Sequence, residues 1–239
     1  MKTKLRPIFL RQELFTKGSF VLLAITLLAG GAIIFSDVYA DTHMGAQAIV
    51  AAYTTLADIY LIYFSVVSFG KEFQYRTINM IRSSRLSGSE VIIRKVLDGV
   101  VLSVALATFL LGELALYKYI FHHPEVDFRH FAKFLYANFI IYGVFIYALA
   151  NLVIFFVKNI LGSFLSVYFG LPLLTFLTAY FHDFDNVFGR AMKYVPFEYV
   201  HGKFDHGLVY TSHEFWVLLV WTVGLVALLP LVYKKKGFV

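Results

Sequence analysis

The chain has 239 residues, of which 59% are hydrophobic and 15% charged, with a mean hydropathy of +0.73. Too few polar groups remain to coat a soluble globule of this length, so the composition describes a membrane protein. The absence of cysteine excludes disulfides and thiolate metal sites and leaves the redox compartment open, while the net charge of +6 suggests nucleic acid only until the charges are placed.

Residues 1–17 come first. Pro7 can open a helix in which Ile8, Phe9, Leu10, Leu14 and Phe15 are interspersed with Arg11, Gln12 and Lys17. Such a helix either lies in the headgroup plane or extends the first span into the cytoplasm. About six apolar runs then reach the roughly 20 residues needed to cross about 30 Å of hydrocarbon. They are 18–36, 48–69, 96–117, 134–157, 160–181 and 215–233. The first is long and lacks a clear small-x-small cleavage site, so it reads as a retained span rather than a signal peptide. The expectation is an all-α, polytopic fold in which 1–239 form one transmembrane domain.

Lys and Arg set the orientation. Lys2, Lys4, Arg6 and Arg11 precede the first span, Lys71, Arg76, Arg82, Arg85, Arg94 and Lys95 crowd the loop at 70–95, and Lys158 and Lys234 to Lys236 fall on the same side. Acidic residues collect opposite, among them Asp37, Asp127, Glu198 and Asp205. The positive-inside rule therefore puts both termini in the cytoplasm, in a cell membrane. Attraction to anionic headgroups explains the basic excess without nucleic acid.

The loop at 70–95 is the most distinctive segment. Glu72 to Ile81 is helix-prone, Ser83-Ser84 breaks it, and Ser87-Gly88-Ser89-Glu90 has the spacing of a capping box. There Ser87 accepts from the amide of Glu90, and Glu90 reaches back to the amide of Ser87. The loop reads as helix, break, capped helix, which starts the third span one to two turns inside the cytoplasm. The plainer alternative is a solvated loop whose arginines obey the positive-inside rule.

The run FGKEFQYRTINMIRSSRLSGSEVIIRKVL resembles a segment of the type-2 ATP-binding-cassette exporter permeases. In that family an acidic residue precedes an aromatic and a Gly-Thr or Arg-Thr pair. A basic stretch, a Ser-containing turn and a Lys entering the third span follow. The matching positions are Glu72, Tyr75, Arg76, Thr77, Ser87 and Lys95, with Arg85 in the basic stretch. The family often has Pro before the turn and Gly before Thr, where this chain has Leu86 and Arg76. Tyr194-Val195-Pro196-Phe197, in the outer loop at 182–213, is similar to a Pro-Phe element that many such permeases carry there, and would belong to an outer gate.

The resemblance implies an energy source in another polypeptide, and no G-x-x-x-x-G-K-[ST] stretch occurs here. A partner ATPase, holding ATP and Mg, would dock on the 70–95 loop, and a second permease chain, identical or homologous, would complete the pathway. The chain itself would hold no cofactor and catalyse nothing. By the same analogy the first and fifth spans form the dimer seam, with Pro172 kinking the fifth.

Gly162, Ser166 and Gly170 place small residues on one face of the fifth span, and Gly99, Ser103 and Ala107 repeat the spacing on the third. Which stripe packs within the chain and which between chains stays open in the sequence. Asp58 is the deepest charge, and a carboxylate there costs about 2.5–3.5 kcal/mol unless paired or wet. It should line a pathway or hydrogen-bond to Tyr or Ser neighbours, with no second carboxylate or His evidently paired to it. Asp98 has Arg94 one turn back as an expected partner, and Glu113 lines the exit or reaches the surface.

All eight histidines fall in outer loops at spacings that match no compact metal motif, so no metal ligand is assigned. The apolar residues between His182 and His213 predict that part of that loop dips back toward the bilayer. Aromatic content of 18% suits an apolar or amphipathic cargo, whether peptide, bacteriocin or other toxin, drug or lipid, and suits lipid contact equally. The rival readings are a metal-dependent intramembrane enzyme using outer-face His and Asp, and a standalone channel or secondary carrier, which needs paired intramembrane charges or inverted repeats.

Overall fold

The structure, a computed structural model, describes residues 17–40, 45–74, 88–123, 126–182, 184 and 186–236. The expected interfacial helix at 1–16 and residues 75–87, the middle of the basic loop, lie outside them. The helices in chain order are α1 (Lys17–Ala40), α2 (Gly45–Gln74), α3 (Gly88–Tyr119), α4 (Phe128–Lys133), a π-helical stretch (Phe134–Phe139), α5 (Ile140–Val157) and α6 (Ile160–His182). They are followed by α7 (Val187–Met192), a 3₁₀ turn (Pro196–Glu198), α8 (Val200–Asp205) and α9 (Ser212–Lys236).

Six helical units are long and apolar enough to cross a membrane: α1, α2, α3, the continuous unit Phe128–Val157, α6 and α9. Each contains one of the six apolar runs and extends beyond it. At 1.5 Å per residue α2 is about 45 Å long, more than the hydrocarbon core, so its ends reach headgroup depth or it tilts.

Consecutive spans run antiparallel. At one end Glu72 meets Lys95, Phe69 meets Phe155 and Tyr233, and Gly70 lies against Ile160. At the other, Tyr117 donates to Asp37 and Asn138 reaches Leu208. The turn between α5 and α6 is only Lys158 and Asn159. Lys158 takes a left-handed conformation and donates its amide to Ile154 O, while Asn159 Oδ1 accepts from Gly162 N at 2.8 Å to open α6.

Burial sorts the spans into centre and rim. In their most apolar windows α2 is 67% buried within the chain and the α4–α5 unit 61%, against 22% for α1 and 17% for α6. The exposed faces of α1 and α6 carry Phe20, Leu28, Phe35, Phe169, Leu173 and Phe176, which an apolar solvent tolerates.

The two small-residue stripes separate accordingly. On α3, Gly99 lies under the Tyr147 ring, Ser103 fills the space left by Gly143, and Ala107 is buried, so this stripe lets α3 approach α5. On α6, Ser166 is exposed and bonds its own helix at Gly162 O, and a side chain at Gly170 would meet nothing within 4 Å. That stripe faces away from the bundle.

A Cβ at Gly99 would stand 2.9 Å from the Tyr147 ring, so Gly99→Val overpacks the α3–α5 contact and lowers stability by about 1–3 kcal/mol. Gly170→Val stays within about 0.5 kcal/mol of the parent, since the helix cost of a β-branched residue cancels most of what replacing glycine gains. Thermal unfolding of both variants in detergent that disperses the protein as monomer measures the difference.

Candidate functional site

At the end where α2 leaves for the basic loop and α3 returns from it, a buried ion pair joins the two helices. Lys95 Nζ lies 2.9 Å from Glu72 Oε1, with side-chain exposures of 2% and 8%. The same ammonium donates to the Ser68 carbonyl, lies 3.3 Å from Ser68 Oγ and sits 4.5 Å above the Phe69 ring. Ser68 Oγ and Tyr147 OH are 2.7 Å apart, which brings α5 into the cluster. A buried charge is tolerated only when paired and hydrogen-bonded, and this one is both. Nearby, Arg94 pairs with Glu90 at 2.7 Å. The expected Arg94–Asp98 pair is therefore corrected: the guanidinium reaches one turn toward the helix start instead, where Glu90 is part of the first turn.

Toward the other end, the segment between α6 and α9 folds back into the bundle. It runs beside α2: the Gln47 amide donates to His206 O, and Thr54 Oγ1 lies 3.2 Å from Asp205 O. Gly207 turns the chain with φ of 64° where any side chain would collide with Val50, so glycine is needed twice over at this position. Phe204 is fully buried, stacked on Tyr142 with ring centroids 3.8 Å apart and flanked by Phe139 at 5.0 Å. Other loop carbonyls find side-chain donors: Asn138 for Leu208, Tyr210 for Val200, Thr175 for Phe197 and Trp221 for Tyr194. Backbone that leaves helical geometry while packed inside the bundle needs such partners for its carbonyls.

This return of the chain gives Asp58 its surroundings. Asp58 is 2% exposed and accepts a hydrogen bond from Tyr142 OH through Oδ1. His201 comes down from α8, with Nδ1 3.7 Å from Asp58 Oδ2 and Nε2 3.3 Å from Asp205 Oδ2. His201 and Asp205 are four residues apart and project from one face of α8. Burial pushes the Asp205 carboxyl above its ordinary range, and His201 and His206 partly offset that. Asp205 Oδ1 is buried without a hydrogen-bond partner among the described residues.

The expectation that Asp58 lacks a paired His or carboxylate is thus overturned. The partner comes from the loop at 182–213, whose apolar residues already predicted a return toward the bilayer. One histidine of the eight is likewise drawn from the outer region into the bundle.

Glu113, expected to line an exit or reach the surface, lines a cavity between α1 and α3. It is 7% exposed and turns to α1, where Oε1 accepts from Gly31 N at 2.9 Å; this close approach requires the small Gly30 beside it. Pro196 is buried and opens the 3₁₀ turn, and Phe197 packs edge-on against Trp221 and tilted against Phe145, linking the returning loop to α9 and α5. Glu72 is placed as described above. Tyr75, Arg76, Thr77, Arg85 and Ser87 lie outside the described residues.

No protein-family model matches the chain, and no curated protein does.

Removing one side of the Glu72–Lys95 pair unbalances a buried ionic cluster. Lys95→Met and Glu72→Leu should each cost about 3–5 kcal/mol, while the double variant should recover most of that loss. A double-mutant cycle on unfolding in micelles reads this directly, and additive losses would contradict it.

Proposed function

We propose that the chain is the transmembrane permease subunit of an ATP-binding-cassette exporter. Two such chains, identical or homologous, enclose a pathway for an amphipathic or apolar compound, and ATP with Mg is turned over in separate ATPase subunits. The observation that carries this reading is the buried Glu72–Lys95 pair, which ties α2 to α3 at the mouth of the basic loop. The same two residues belong to the permease-like pattern of that loop. An ATPase that bound the loop more tightly in one state than another would move both helices as one body, and such a difference in affinity is what any driven switch requires.

In this reading the loop and both termini are cytoplasmic and the membrane is the cell membrane. The outward stripe of Gly162, Ser166 and Gly170 on α6, beside the exposed face of α1, is the surface offered to the second permease chain. Pro196 and Phe197 belong to the segment that covers the pathway on the outer side.

A secondary carrier is the next reading, favoured by the one requirement it shares with the structure, the paired charges at Glu72–Lys95. Reconstitution separates the two. In nanodiscs with the candidate ATPase, the parent complex should stimulate ATP turnover. Glu72→Ala or Arg76→Ala should reduce coupled turnover roughly 5- to 150-fold, the usual span of an interaction between sites. Full transport by the permease alone in proteoliposomes would overturn the exporter assignment.

A further inference from the structure

We infer that Asp58, His201 and Asp205 form a binding site for a divalent first-row transition metal of the zinc type, which clamps α8 onto α2. The three side chains each offer one ligand atom, and these atoms lie within 4.8 Å of one another. Two ligands at about 2.0–2.1 Å from a tetrahedral zinc are about 3.3–3.4 Å apart. The 3.3 Å between His201 Nε2 and Asp205 Oδ2 already has that spacing, and Asp58, whose Oδ2 now lies 3.7 Å from Nδ1, has a carboxylate oxygen within 4.8 Å of both other ligand atoms and closes on the ion by a turn of the imidazole.

One imidazole with two carboxylates is a borderline donor set. It suits zinc, cobalt or manganese better than magnesium or calcium, which prefer oxygen alone, and better than copper(I), which prefers sulfur.

The supports of the site are those expected around metal ligands. Tyr142 OH donates to Asp58 Oδ1 and fixes the carboxylate, leaving Oδ2 toward His201. Thr54 holds the Asp205 backbone, and Tyr210 OH donates to Val200 O at 2.9 Å at the start of the same helix. Asp205 Oδ1, buried without a partner, is a further oxygen available to a cation. Three protein ligands leave a fourth position for water, as in sites that exchange their metal. Two of the ligands sit on the returning loop and one on the central helix, so a bound ion adds a direct link between elements that hydrogen bonds from Gln47 and Thr54 also join.

This inference stands apart from the exporter reading, since it needs no ATPase and names no cargo. The test uses the full chain in nanodiscs, purified by a tag without histidines and stripped of metal. Titration with Zn²⁺ followed by calorimetry should give one site per chain, and Co²⁺ should develop the visible bands of a low-symmetry tetrahedral complex. His201→Ala and Asp205→Asn should abolish both signals, Tyr142→Phe should weaken binding about ten-fold, and His213→Ala should leave it unchanged. Zn²⁺ should raise the melting temperature of the parent and not of His201→Ala, which separates lost binding from lost folding. Zinc bound equally by His201→Ala, or no stoichiometric zinc in the parent, would overturn the assignment.

Discussion

Hydrocarbon does not tolerate an unanswered charge, and two carboxylates of the central helix, Asp58 and Glu72, are where this protein meets that constraint. Fourteen residues of helix separate them by about 21 Å. Each is answered by a different part of the chain: Glu72 by Lys95 on α3, and Asp58 by Tyr142 on α5 together with His201 on α8. The packing around α2 follows from these demands as much as from apolar contact. In lipid a leucine gains little by leaving the solvent, whereas a carboxylate gains a great deal by finding a partner.

The same constraint shapes the segment between α6 and α9. A chain that leaves helical geometry inside the bundle exposes carbonyl oxygens, and side chains from α2, the π-helical stretch, α6 and α9 donate to them one by one. Asn138 is instructive here. It lies within the π-helical turn, a local widening that often accompanies a site, and its amide reaches the Leu208 carbonyl at 2.9 Å. Phe204 inserts between Phe139 and Tyr142 with its face on the tyrosine. The loop is thereby part of the core rather than a cover laid over it.

The spans were legible because their signal is local: each apolar run declares its own length. The sorting of the two stripes was not legible, since Gly99-Ser103-Ala107 and Gly162-Ser166-Gly170 have the same spacing and differ only in what stands opposite. The surroundings of Asp58 were also hidden, because Asp58 and His201 are separated by most of the chain and their encounter depends on how far the loop at 182–213 descends. One signal was present. Val200 and Phe204 alternate with His201 and Asp205 in a short helical turn, an amphipathic pattern that a fully solvated loop has no reason to carry.

The two clusters differ in strength. Breaking the Glu72–Lys95 pair unbalances a buried ionic cluster and costs about 3–5 kcal/mol. Parting Asp58 from Tyr142 breaks a hydrogen bond to a carboxylate, worth about 1.5–3 kcal/mol, and His201 lies at 3.7 Å, beyond hydrogen-bond reach of Asp58. The Glu72–Lys95 pair thus ties α2 to α3 at one end, with Tyr147 of α5 joined to the same cluster through Ser68, while Tyr142 holds α5 to α2 at Asp58. Asp58 also has His201 of α8 beside it, so the returning loop and the central helix meet at that carboxylate.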